Sequence, residues 1–391
     1  MPRASTATLK RRQQQVREAA SRQGLEALIV TTRSNISYLT NFNGSAAVVV
    51  LTPDKVSFIT DFRYVTALDN LQKSANACPD LQRVVVDGTY ETTLLGVIGA
   101  LGAERVGFEA SNLTVSRHQL LATALANPGG PGSALIPTDQ LVEQVRVVKD
   151  EEEIETFRAA ARLLSDVARG VFEEIAHGRA ERDIALAIDN RIRRAGFERP
   201  AFDTIVASGP RAALPHAVPG ERRLSENDLV VLDFGGVYDS YCVDLTRTVS
   251  VGRADSRARE VHGAVLEAHD RAIRTVRPGV SRFAVDAAAR DWLTGCGLGE
   301  AFGHGTGHGL GLDIHEGPRI TRRTSATPVA GPGTGPATVS NDEELIPGMV
   351  FTIEPGAYLP GWGGVRIEDD VLVTEHGVEV LTSVTTGLLE L

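Results

Sequence analysis

The sequence predicts two domains, an α/β domain followed by a larger α+β domain. Three observations support this. The chain has 391 residues, too long for one ordinary domain, and 42% of them are hydrophobic, enough for sizeable cores. Helical and extended patterns alternate in the first part of the chain. In the second part, long amphipathic helices and strand pairs segregate, which favours an α+β domain over a doubly wound nucleotide-binding sheet.

The first domain begins with a polar amphipathic helix, predicted over about residues 8–23. The apolar runs ALIV, AAVVVL and VSFIT follow as short buried strands, and helices are expected from there to about residue 125. The next segment, ANPGGPGSALIPTDQ, is rich in glycine and proline, as is typical of a connector. We therefore expect one domain over residues 1–140 and a second over 141–391.

The second domain is predicted to contain four long helices and two strand pairs. The helices are expected at about 150–176, 181–195, 256–277 and 281–296, and the strand pairs around 230–250 and 350–382. Residues 321–348 are poor in large apolar side chains and dense in Gly, Pro, Thr and Ala, which indicates a long loop. This loop is either a solvent-exposed insertion or, given its place between two motif-bearing segments, a lid.

Charge and cysteine content restrict the partners and the compartment. Forty basic and fifty acidic residues give a net charge of -10, which argues against nucleic-acid and anionic-membrane partners. Cys78, Cys242 and Cys296 are odd in number and scattered, so we expect reduced thiols. The N-terminus lacks the apolar core of a signal peptide, and no apolar run approaches the length of a membrane span. We expect a cytoplasmic protein.

A first predicted hairpin carries acidic side chains within apolar sequence. In LVVLDFGGVYDSYCVDLTRT, a glycine-containing turn joins two strands, and we expect the carboxylates of Asp233 and Asp244 to lie side by side. Asp239 is expected in the turn, and a turn or capping role is the alternative for Asp233. Because aspartate is depleted in strands and costly to desolvate, the pair indicates a cation between the two carboxylates.

A second predicted hairpin repeats this arrangement. VFTIEPGAYLPG and GGVRIEDDVLV place Glu354 and Glu368 within strand sequence, and alternation puts Arg366, Glu368 and Asp370 on one face. The four carboxylates of the two hairpins would balance two divalent cations, leaving a bridging hydroxide whose charge an arginine could offset. Oxygen-rich ligation with a single imidazole suits Mn2+ or Co2+, with Fe2+ and Zn2+ as alternatives.

The imidazole is expected from the stretch GHGTGHGLGLDIHEGP, which contains His304, His308 and His315. The spacing of the first two histidines matches a helical zinc site, but the alternating glycines disfavour a helix. We therefore expect loop or extended chain here, with the remaining ligands elsewhere. Lacking Cβ atoms, the glycines are expected to let the chain lie close to metals and peptide.

These blocks resemble the creatinase/aminopeptidase, or pita-bread, metallopeptidase family M24, and specifically its proline-directed branch of Xaa-Pro dipeptidases (prolidases) and aminopeptidases P. DFGGVYDSYCVDLTRT, GHGLGLDIHEGPRI, PGMVFTIEPGAY and GGVRIEDDVLV are similar, in order, to the metal-binding blocks of the family. SNISYLTNFNGSAAVVVLTPDKVSFITDFRY resembles the N-terminal domain of the proline-specific members. The resemblance implies a C-terminal pita-bread domain after a smaller creatinase-like α/β domain. Asp233 and Asp244 speak against creatinase itself, which lacks metal-binding aspartates.

The resemblance also implies the roles of individual side chains. The implied metal ligands are Asp233 for one ion, Asp244 and Glu368 for both, and His308 and Glu354 for the other. His216, in ALPHAVPG, and His315 correspond to substrate-contacting histidines, and Arg366 corresponds to an arginine behind the ligands. His304 has no matching role and is expected to be a structural loop histidine.

The implied reaction is hydrolysis of the bond that precedes proline. A hydroxide shared by two divalent ions would attack the carbonyl carbon, and Glu354 would carry its proton to the leaving nitrogen. His216 and His315 would donate hydrogen bonds to the intermediate. The resemblance also implies a homodimer. Two alternatives remain open: an aminopeptidase P that acts on Xaa-Pro-Xaa and longer peptides, and a metal-free peptide-binding module.

Arginines near the loop bear on the choice between these activities. A dipeptidase that acts on short proline-containing peptides must capture the C-terminal carboxylate, which suits a bidentate guanidinium. Arg319, Arg322 and Arg323 are available. We expect Arg322 or Arg323 to close over the carboxylate, which favours the dipeptidase, whereas the alternative is that both arginines are simply solvated.

Overall fold

A computed structural model of the protein describes residues 4–126, 132–323 and 343–391. Most of the loop predicted over 321–348 lies outside these residues, and with it the choice between insertion and lid. The described chain divides into two compact units, one ending at Arg146 and one beginning at Val147. None of the described helices is long and apolar enough to cross a bilayer.

The first unit is a six-stranded mixed sheet with helices. Its strands are β1 (Ala27–Val30), β2 (Val48–Leu51), β3 (Val56–Thr60), β4 (Leu81–Val85), β5 (Arg105–Glu109) and β6 (Ala134–Thr138), in the order β4-β3-β2-β1-β5-β6. Its helices are α1 (Thr6–Arg22), α2 (Arg33–Thr40), α3 (Val65–Gln72), α4 (Tyr90–Leu101), α5 (Val115–Ala126) and α6 (Leu141–Arg146). Ile29, Val50 and Ile98 are among the residues of its buried core.

The first helix and the first three strands confirm the prediction, whereas two later expectations for this unit were wrong. Helix α1 begins at Thr6 because Ser5 caps it, accepting a hydrogen bond from the backbone N–H of Thr8. Strands β4 and β5 lie where only helices were expected. Strand β6 lies in the predicted connector and pairs with β5 at the edge of the sheet, where Pro137 is tolerated.

The four long helices predicted for the second unit are confirmed to within a few residues. They are α7 (Glu151–Val171), α8 (Glu181–Arg194), α9 (Ser256–Thr275) and α10 (Arg282–Gly295). Helix α7 begins with a reciprocal capping box between Asp150 and Glu153, which explains the acidic residues in its first turn.

The strands of the second unit form a sheet around a long hairpin and a second sheet around a broken one. The strands are β7 (Arg199–Pro200), β8 (Ile205–Ser208), β9 (Leu229–Tyr238), β10 (Tyr241–Ser250), β11 (Gly307–Gly309), β12 (Glu316–Ile320), β13 (Val350–Ile353), β14 (Gly356–Leu359), β15 (Gly363–Arg366), β16 (Asp369–Thr374) and β17 (Gly377–Val380). Strand β9 pairs with β10, β7 and β8, and the other sheet has the order β12-β11-β13-β16-β17. One buried cluster joins α7 and α8 to β9 and β10, and another joins α9 and α10 to β13 and β16.

The turn of the β9–β10 hairpin differs from the predicted glycine-containing turn. It consists of Asp239 and Ser240, both with positive φ (47° and 72°). Two-residue turns with positive φ at both positions match the twist of the strands in a hairpin. Asp239 therefore has the expected turn role. Gly235 and Gly236 instead lie inside β9, where a Cβ on Gly236 would come within 2.4 Å of the Phe197 ring.

The second hairpin is interrupted, whereas continuous strands were predicted. Strand β14 pairs with β15 and β13 pairs with β16, but the chain leaves the ladder at Glu354 and Pro355 on one arm and at Ile367 and Glu368 on the other. Proline has no N–H to donate, which explains the first break. At the second break, the N–H of Glu368 donates to the carbonyl of Thr246 in β10 (3.1 Å), which joins the two sheets.

Candidate active site and metal centre

The second unit contains a cavity of about 890 Å3. The ends of both hairpins, the glycine-rich stretch and residues 215–219 contribute to its wall. The wall includes all five predicted metal ligands and the predicted residues His216, His315 and Arg366. One cavity thus brings together groups from segments that are far apart in the sequence.

The two aspartates of the β9–β10 hairpin are diagonal rather than side by side. In the observed register Asp233 lies opposite Thr246, and Asp244 lies opposite Gly235. The two-residue turn sets this register, in which the two carboxylates are diagonal neighbours on one face of the hairpin. Both side chains nevertheless line the cavity.

The predicted alternation of side chains near Glu368 is confirmed by contacts. Thr246 Oγ1 donates to Glu368 Oε2 (2.5 Å) and accepts from Arg366 Nε (3.2 Å), and the N–H of Asp244 donates to Asp370 Oδ2 (3.1 Å). Asp369 instead accepts from Arg247 Nη2 (2.7 Å), which lies on the other face of β10 from Thr246. Arg366, Glu368 and Asp370 therefore share the face of β10 that carries Asp244 and Thr246.

His308 presents one ring nitrogen to the cavity. Its backbone N–H donates to Thr352 Oγ1 (3.1 Å), and its Nδ1 lies 3.1 Å from the carbonyl oxygen of Gly309. A carbonyl can only accept, so the proton is on Nδ1 and Nε2 keeps a lone pair for a metal. Nε2 lies 3.5 Å from Glu354 Oε1. Burial, then the nearby His315, lowers the pKa of His308 to about 3, which keeps the ring neutral.

The glycines around His308 let neighbouring strands approach one another. A Cβ on Gly307 would lie 1.8 Å from the carbonyl oxygen of Thr352, and one on Gly309 would lie 1.9 Å from that of Gly317. His308 is thereby held at a fixed depth in the wall. Gly307 also lines the cavity, so the expected close approach of this stretch to metals and peptide stays a prediction.

The donor atoms of this site fit divalent cations. Among the described residues, ligand atoms of Asp244, His308 and Glu368 lie within 4.8 Å of one another. The buried Oδ1 of Asp233 has no hydrogen-bond partner in the described chain. Buried carboxylates need a compensating positive charge, and oxygen-rich ligation with one imidazole is a common divalent site.

The pKa values of these carboxyls show the same need for a cation. Burial, then the neighbouring carboxylates of Asp233 and Asp370, raises the pKa of Asp244 well above its ordinary value. The pKa of Glu368 is also raised well above its ordinary value, first by burial and then by the nearby charge of Asp244. Burial also raises the pKa of Glu354 to about 7. Without a cation, this cluster retains protons that a metal would displace.

Arg366 joins the predicted metal ligand Asp233 to the segment that carries His216. Its Nη2 donates to Asp233 Oδ2, and its Nη1 donates to Tyr358 Oη (2.8 Å) and to the carbonyl of Pro215 (3.3 Å). Pro215 precedes the predicted substrate residue His216. A single buried guanidinium thus holds a ligand carboxylate and the chain that carries His216.

His304, predicted to be a structural loop histidine, also lies in the cavity wall. His304 Nε2 lies 2.9 Å from Tyr358 Oη and its Nδ1 lies 2.7 Å from the carbonyl oxygen of Gly305, so the ring is locally satisfied, yet both His304 and Tyr358 line the cavity. Burial lowers the pKa of His304 to about 4. The signal for Tyr358 was its position in EPGAY, four residues after Glu354 in the sequence.

The arginines near the loop are placed differently from the expectation. Among the described residues, the cavity wall includes Arg319 but neither Arg322 nor Arg323. Arg323 Nη2 donates to Glu343 (2.6 Å), and its guanidinium lies 4.8 Å from the centre of the Phe283 ring. Strand β12 carries Arg319 to the wall, and Arg322 follows that strand on the exposed surface.

A cavity floored by buried carboxylates and one neutral imidazole, carried on paired hairpins of an α+β unit, defines a metal-dependent hydrolase. Residues 155–375 match the model of metallopeptidase family M24, and residues 12–148 match the creatinase/prolidase N-terminal domain. The chain belongs to metallopeptidase family M24 and is a peptidase. These matches confirm the predicted family, with its creatinase-like first domain and pita-bread second domain.

Similar proteins fall in the proline-directed branch. The chain is 41% identical over 251 residues to an Xaa-Pro dipeptidase of Pyrococcus furiosus, covering 64% of this chain and 67% of that protein. An Xaa-Pro dipeptidase structure from Bacillus anthracis superposes with a TM-score of 0.88 at 34% identity, covering 98% of this chain and all of that one. An X-Pro aminopeptidase from Thermotoga maritima gives 0.83 at 32% identity, with 97% and 99% covered.

Proposed function

We propose that this peptidase is an Xaa-Pro dipeptidase that uses two divalent cations, of which Mn2+ suits the oxygen-rich ligands best. The observation that carries the proposal is the convergence of Asp244, His308 and Glu368 in a cavity that Asp233 and Glu354 also line. Those five residues would hold the cations. When bound, such cations make water acidic enough to act near neutral pH and polarise a carbonyl oxygen.

The chain itself would supply proton transfer and charge stabilisation. Glu354 can accept a proton from water at its carboxylate and return it to the proline nitrogen as the peptide bond breaks. His216 and His315 can donate hydrogen bonds to the oxygen on which negative charge develops. Arg366 keeps Asp233 oriented and offsets part of the negative charge of the cluster.

The apolar part of the cavity wall suits a proline ring. Phe202, Ile205, Ala217, Val218 and Ile314 line it. Apolar side chains exclude water around the substrate, and the ring of proline buries without an N–H that would need a partner. The preference for proline would therefore come from the shape of the apolar wall and from the absence of an N–H on the proline nitrogen.

We assign the capture of the substrate carboxylate to Arg319 rather than to Arg322 or Arg323. Arg319 lies on the cavity wall, whereas Arg323 is engaged with Glu343. An arginine that binds the C-terminal carboxylate of a dipeptide favours short substrates, because a longer peptide carries an amide at that point. This supports the dipeptidase over the aminopeptidase P alternative.

A peptide-length comparison tests this function. We expect the Mn2+-loaded wild type to hydrolyse an Xaa-Pro dipeptide with a higher kcat/KM than the matching Xaa-Pro-Xaa tripeptide. Arg319→Ala should lower kcat/KM for the dipeptide by about 10- to 100-fold, the usual loss for a charged hydrogen-bonded pair, and change the tripeptide value little. Arg322→Ala is the matched control and should leave both values unchanged. A wild-type preference for the tripeptide would instead support aminopeptidase P.

The proposal also covers the oligomeric state, the domain division and the cellular location of the enzyme. The resemblance to the family supports a homodimer and a division at about residue 140 between the first domain (1–140) and a catalytic domain (141–391). The net charge of -10 and the three free cysteines support a cytoplasmic location.

A further inference from the structure

Residues 209–220 contribute to the cavity wall without forming a strand or a long helix. After a 3-10 turn over Gly209–Ala213, Pro215, His216, Ala217, Val218 and Pro219 all line the cavity. Leu214 is 52% exposed and Val218 is 79% exposed, whereas Ala212 and Ala217 are buried against β8 and β9, and the carbonyl of Pro215 accepts from Arg366. The conformation of the exposed parts of the segment depends on how its two ends are anchored.

A single buried carboxylate anchors both ends of this segment. Glu181 is the first residue of α8, and its side chain is fully buried. Its Oε1 accepts from the N–H (2.9 Å) and the Oγ (2.8 Å) of Ser208, which directly precedes the segment. Its Oε2 accepts from Arg211 Nε (2.9 Å) and from the N–H of Gly220 (3.2 Å), at the other end. The carboxylate therefore fixes the distance between the two ends.

Neighbouring arginines extend this anchor into the segment. Arg211 Nη2 also donates to the carbonyl of Val218, so the same guanidinium joins Glu181 to the wall of the cavity. Arg222 Nη1 donates to Ser208 Oγ and to Asp228 Oδ2, both at 2.6 Å. Within the described residues, the hydrogen-bond partners of the Glu181 carboxylate are all donors, so only a group that accepts on both oxygens satisfies them all.

The position of Glu181 at a helix start does not explain these contacts. An acidic residue in the first turn of a helix commonly serves the helix itself, through its free N–H groups or its dipole. Here both carboxylate oxygens are bonded to residues of the segment and its flanks, and the cap residue Ala180 has no side-chain hydrogen bond. The carboxylate is thus directed at the cavity wall and away from the helix.

We propose that Glu181 is a positioning residue that sets the conformation of residues 209–220 and so places His216 against the substrate. The inference rests on the proposed function, because His216 is the group through which it acts. Glu181 is not part of the cavity wall, and the partners of its carboxylate in the described part of the chain, Ser208, Arg211 and Gly220, are not predicted metal ligands. Its substitution should therefore affect substrate use without affecting metal binding.

A double-mutant cycle in the Mn2+-loaded full chain tests this role. Glu181→Gln presents an amide N–H2 to donors and removes the charge opposite Arg211, so we expect kcat/KM for an Xaa-Pro dipeptide to fall by about 10- to 100-fold. Metal content per chain should not change. In the background of His216→Ala, the same substitution should cost less than about threefold, since groups that act as a unit are not additive. Equal losses in both backgrounds would overturn the proposal.

Two further variants separate positioning from general stability. Glu153→Gln is the matched control, because Glu153 is also buried in the first turn of a helix of this unit and accepts from Tyr241 Oη at 3.0 Å. It should lower thermal stability without changing kcat/KM. Arg211→Ala removes only the partly exposed link between Glu181 and Val218, so it keeps the test open if Glu181→Gln does not fold. Arg211→Ala should lower kcat/KM by less than Glu181→Gln does, and this loss should disappear in the His216→Ala background. A loss of kcat/KM that persists in that background would contradict the inference.

A second measurement distinguishes failure of the proposed function from failure of the anchoring role of Glu181. A wild type that does not cleave Xaa-Pro dipeptides would overturn that function and not the anchoring role. Trypsin cleavage after Arg211 then provides the readout. Glu181→Gln should accelerate this cleavage at temperatures where the protein is folded, and Glu153→Gln should not. Equal cleavage rates in wild type and Glu181→Gln would show that the carboxylate does not hold the segment.

Discussion

Burial shifts the pKa values of the acidic and the histidine side chains of the cavity in opposite directions. Burial disfavours the charged form of any group, so it raises the pKa of Glu354 to about 7 and lowers the pKa of His304 to about 4. The raised pKa values of Asp244, Glu354 and Glu368 therefore favour their protonated forms, whereas the lowered pKa values of His304 and His308 keep these rings neutral. Both changes prepare the site for a cation, because a neutral imidazole can bind one and a bound cation displaces carboxyl protons.

This difference predicts a pH dependence for the metal-free protein. The pKa of Glu354 rises from an ordinary 4.5 to about 7 on folding. Between these values the folded state holds a proton that the unfolded state has released, so the contribution of Glu354 to the free energy of unfolding is lost as pH rises. Relative to Glu354→Gln, the metal-free wild type should lose stability from about pH 4.5 to about pH 7.

Urea unfolding of both proteins in chelator, over this pH range, measures the difference. The comparison with the variant is necessary because His304 and His308 titrate with the opposite sign. With saturating Mn2+ at pH 7, the order should reverse, and the wild type should be the more stable protein. A metal-free wild type that gains stability relative to the variant as pH rises would contradict the account.

At the scale of elements, the β9–β10 hairpin depends on glycines that are not in its turn. Gly236 lies inside β9, and its missing side chain leaves room for the ring of Phe197. Gly235 is equally confined, since a Cβ there would lie 2.3 Å from the carbonyl oxygen of Val243. The pairing of β9 with β10, and with it the placement of Asp233 and Asp244, requires both glycines.

Alanine substitutions test this dependence with an internal control. Gly236→Ala forces the Phe197 ring to move, so it should lower the free energy of unfolding by about 1 to 3 kcal/mol, the usual cost of overpacking. Gly263→Ala is the control, because a Cβ at this exposed position of α9 meets nothing within 4 Å. It should raise stability by about 0.5 to 1 kcal/mol. Urea denaturation measures both, and a neutral Gly236→Ala would contradict the packing argument.

The sequence predicted those parts of the fold that depend on local periodicity. Helices α7 to α10 were found because their apolar faces repeat at helical spacing, and the β9–β10 hairpin because its apolar runs flank a turn. Strand β4 was missed because it is partly exposed and its apolar run, VVV at 84–86, is only three residues long. Tyr358 and Glu181 were missed because their roles come from partners elsewhere in the sequence. The periodicity of a sequence does not reveal such contacts.

At the scale of the molecule, all predicted metal ligands belong to the second unit, and so do both tryptophans, Trp292 and Trp362. Tryptophan fluorescence therefore reports the unfolding of that unit alone. Cation binding at about 1,000 times Kd stabilises a folded state by about 4 kcal/mol, which shifts the Tm of a unit of this size by on the order of 10 °C.

We accordingly expect chelation to lower the fluorescence-detected Tm by on the order of 10 °C, and Mn2+ to restore it. Glu368→Gln removes a shared ligand candidate, so its Tm should respond little to chelator. Glu379→Gln, at a surface carboxylate paired with Arg158, is the control and should respond like the wild type. A wild-type Tm that is indifferent to chelator would contradict a metal site in this unit.

The hydrogen bond between Thr246 and Glu368 has a consequence for the order of folding. These residues are 122 positions apart in the chain, yet their contact joins the two sheets that carry the ligands. A nascent polypeptide that ends before β15 possesses Asp233, Asp244, His308 and Glu354, but not the carboxylate of Glu368 that completes the predicted ligand set. We therefore expect the full ligand set to form only after both hairpins are made and packed together, so that a cation stabilises a chain that has already closed on itself.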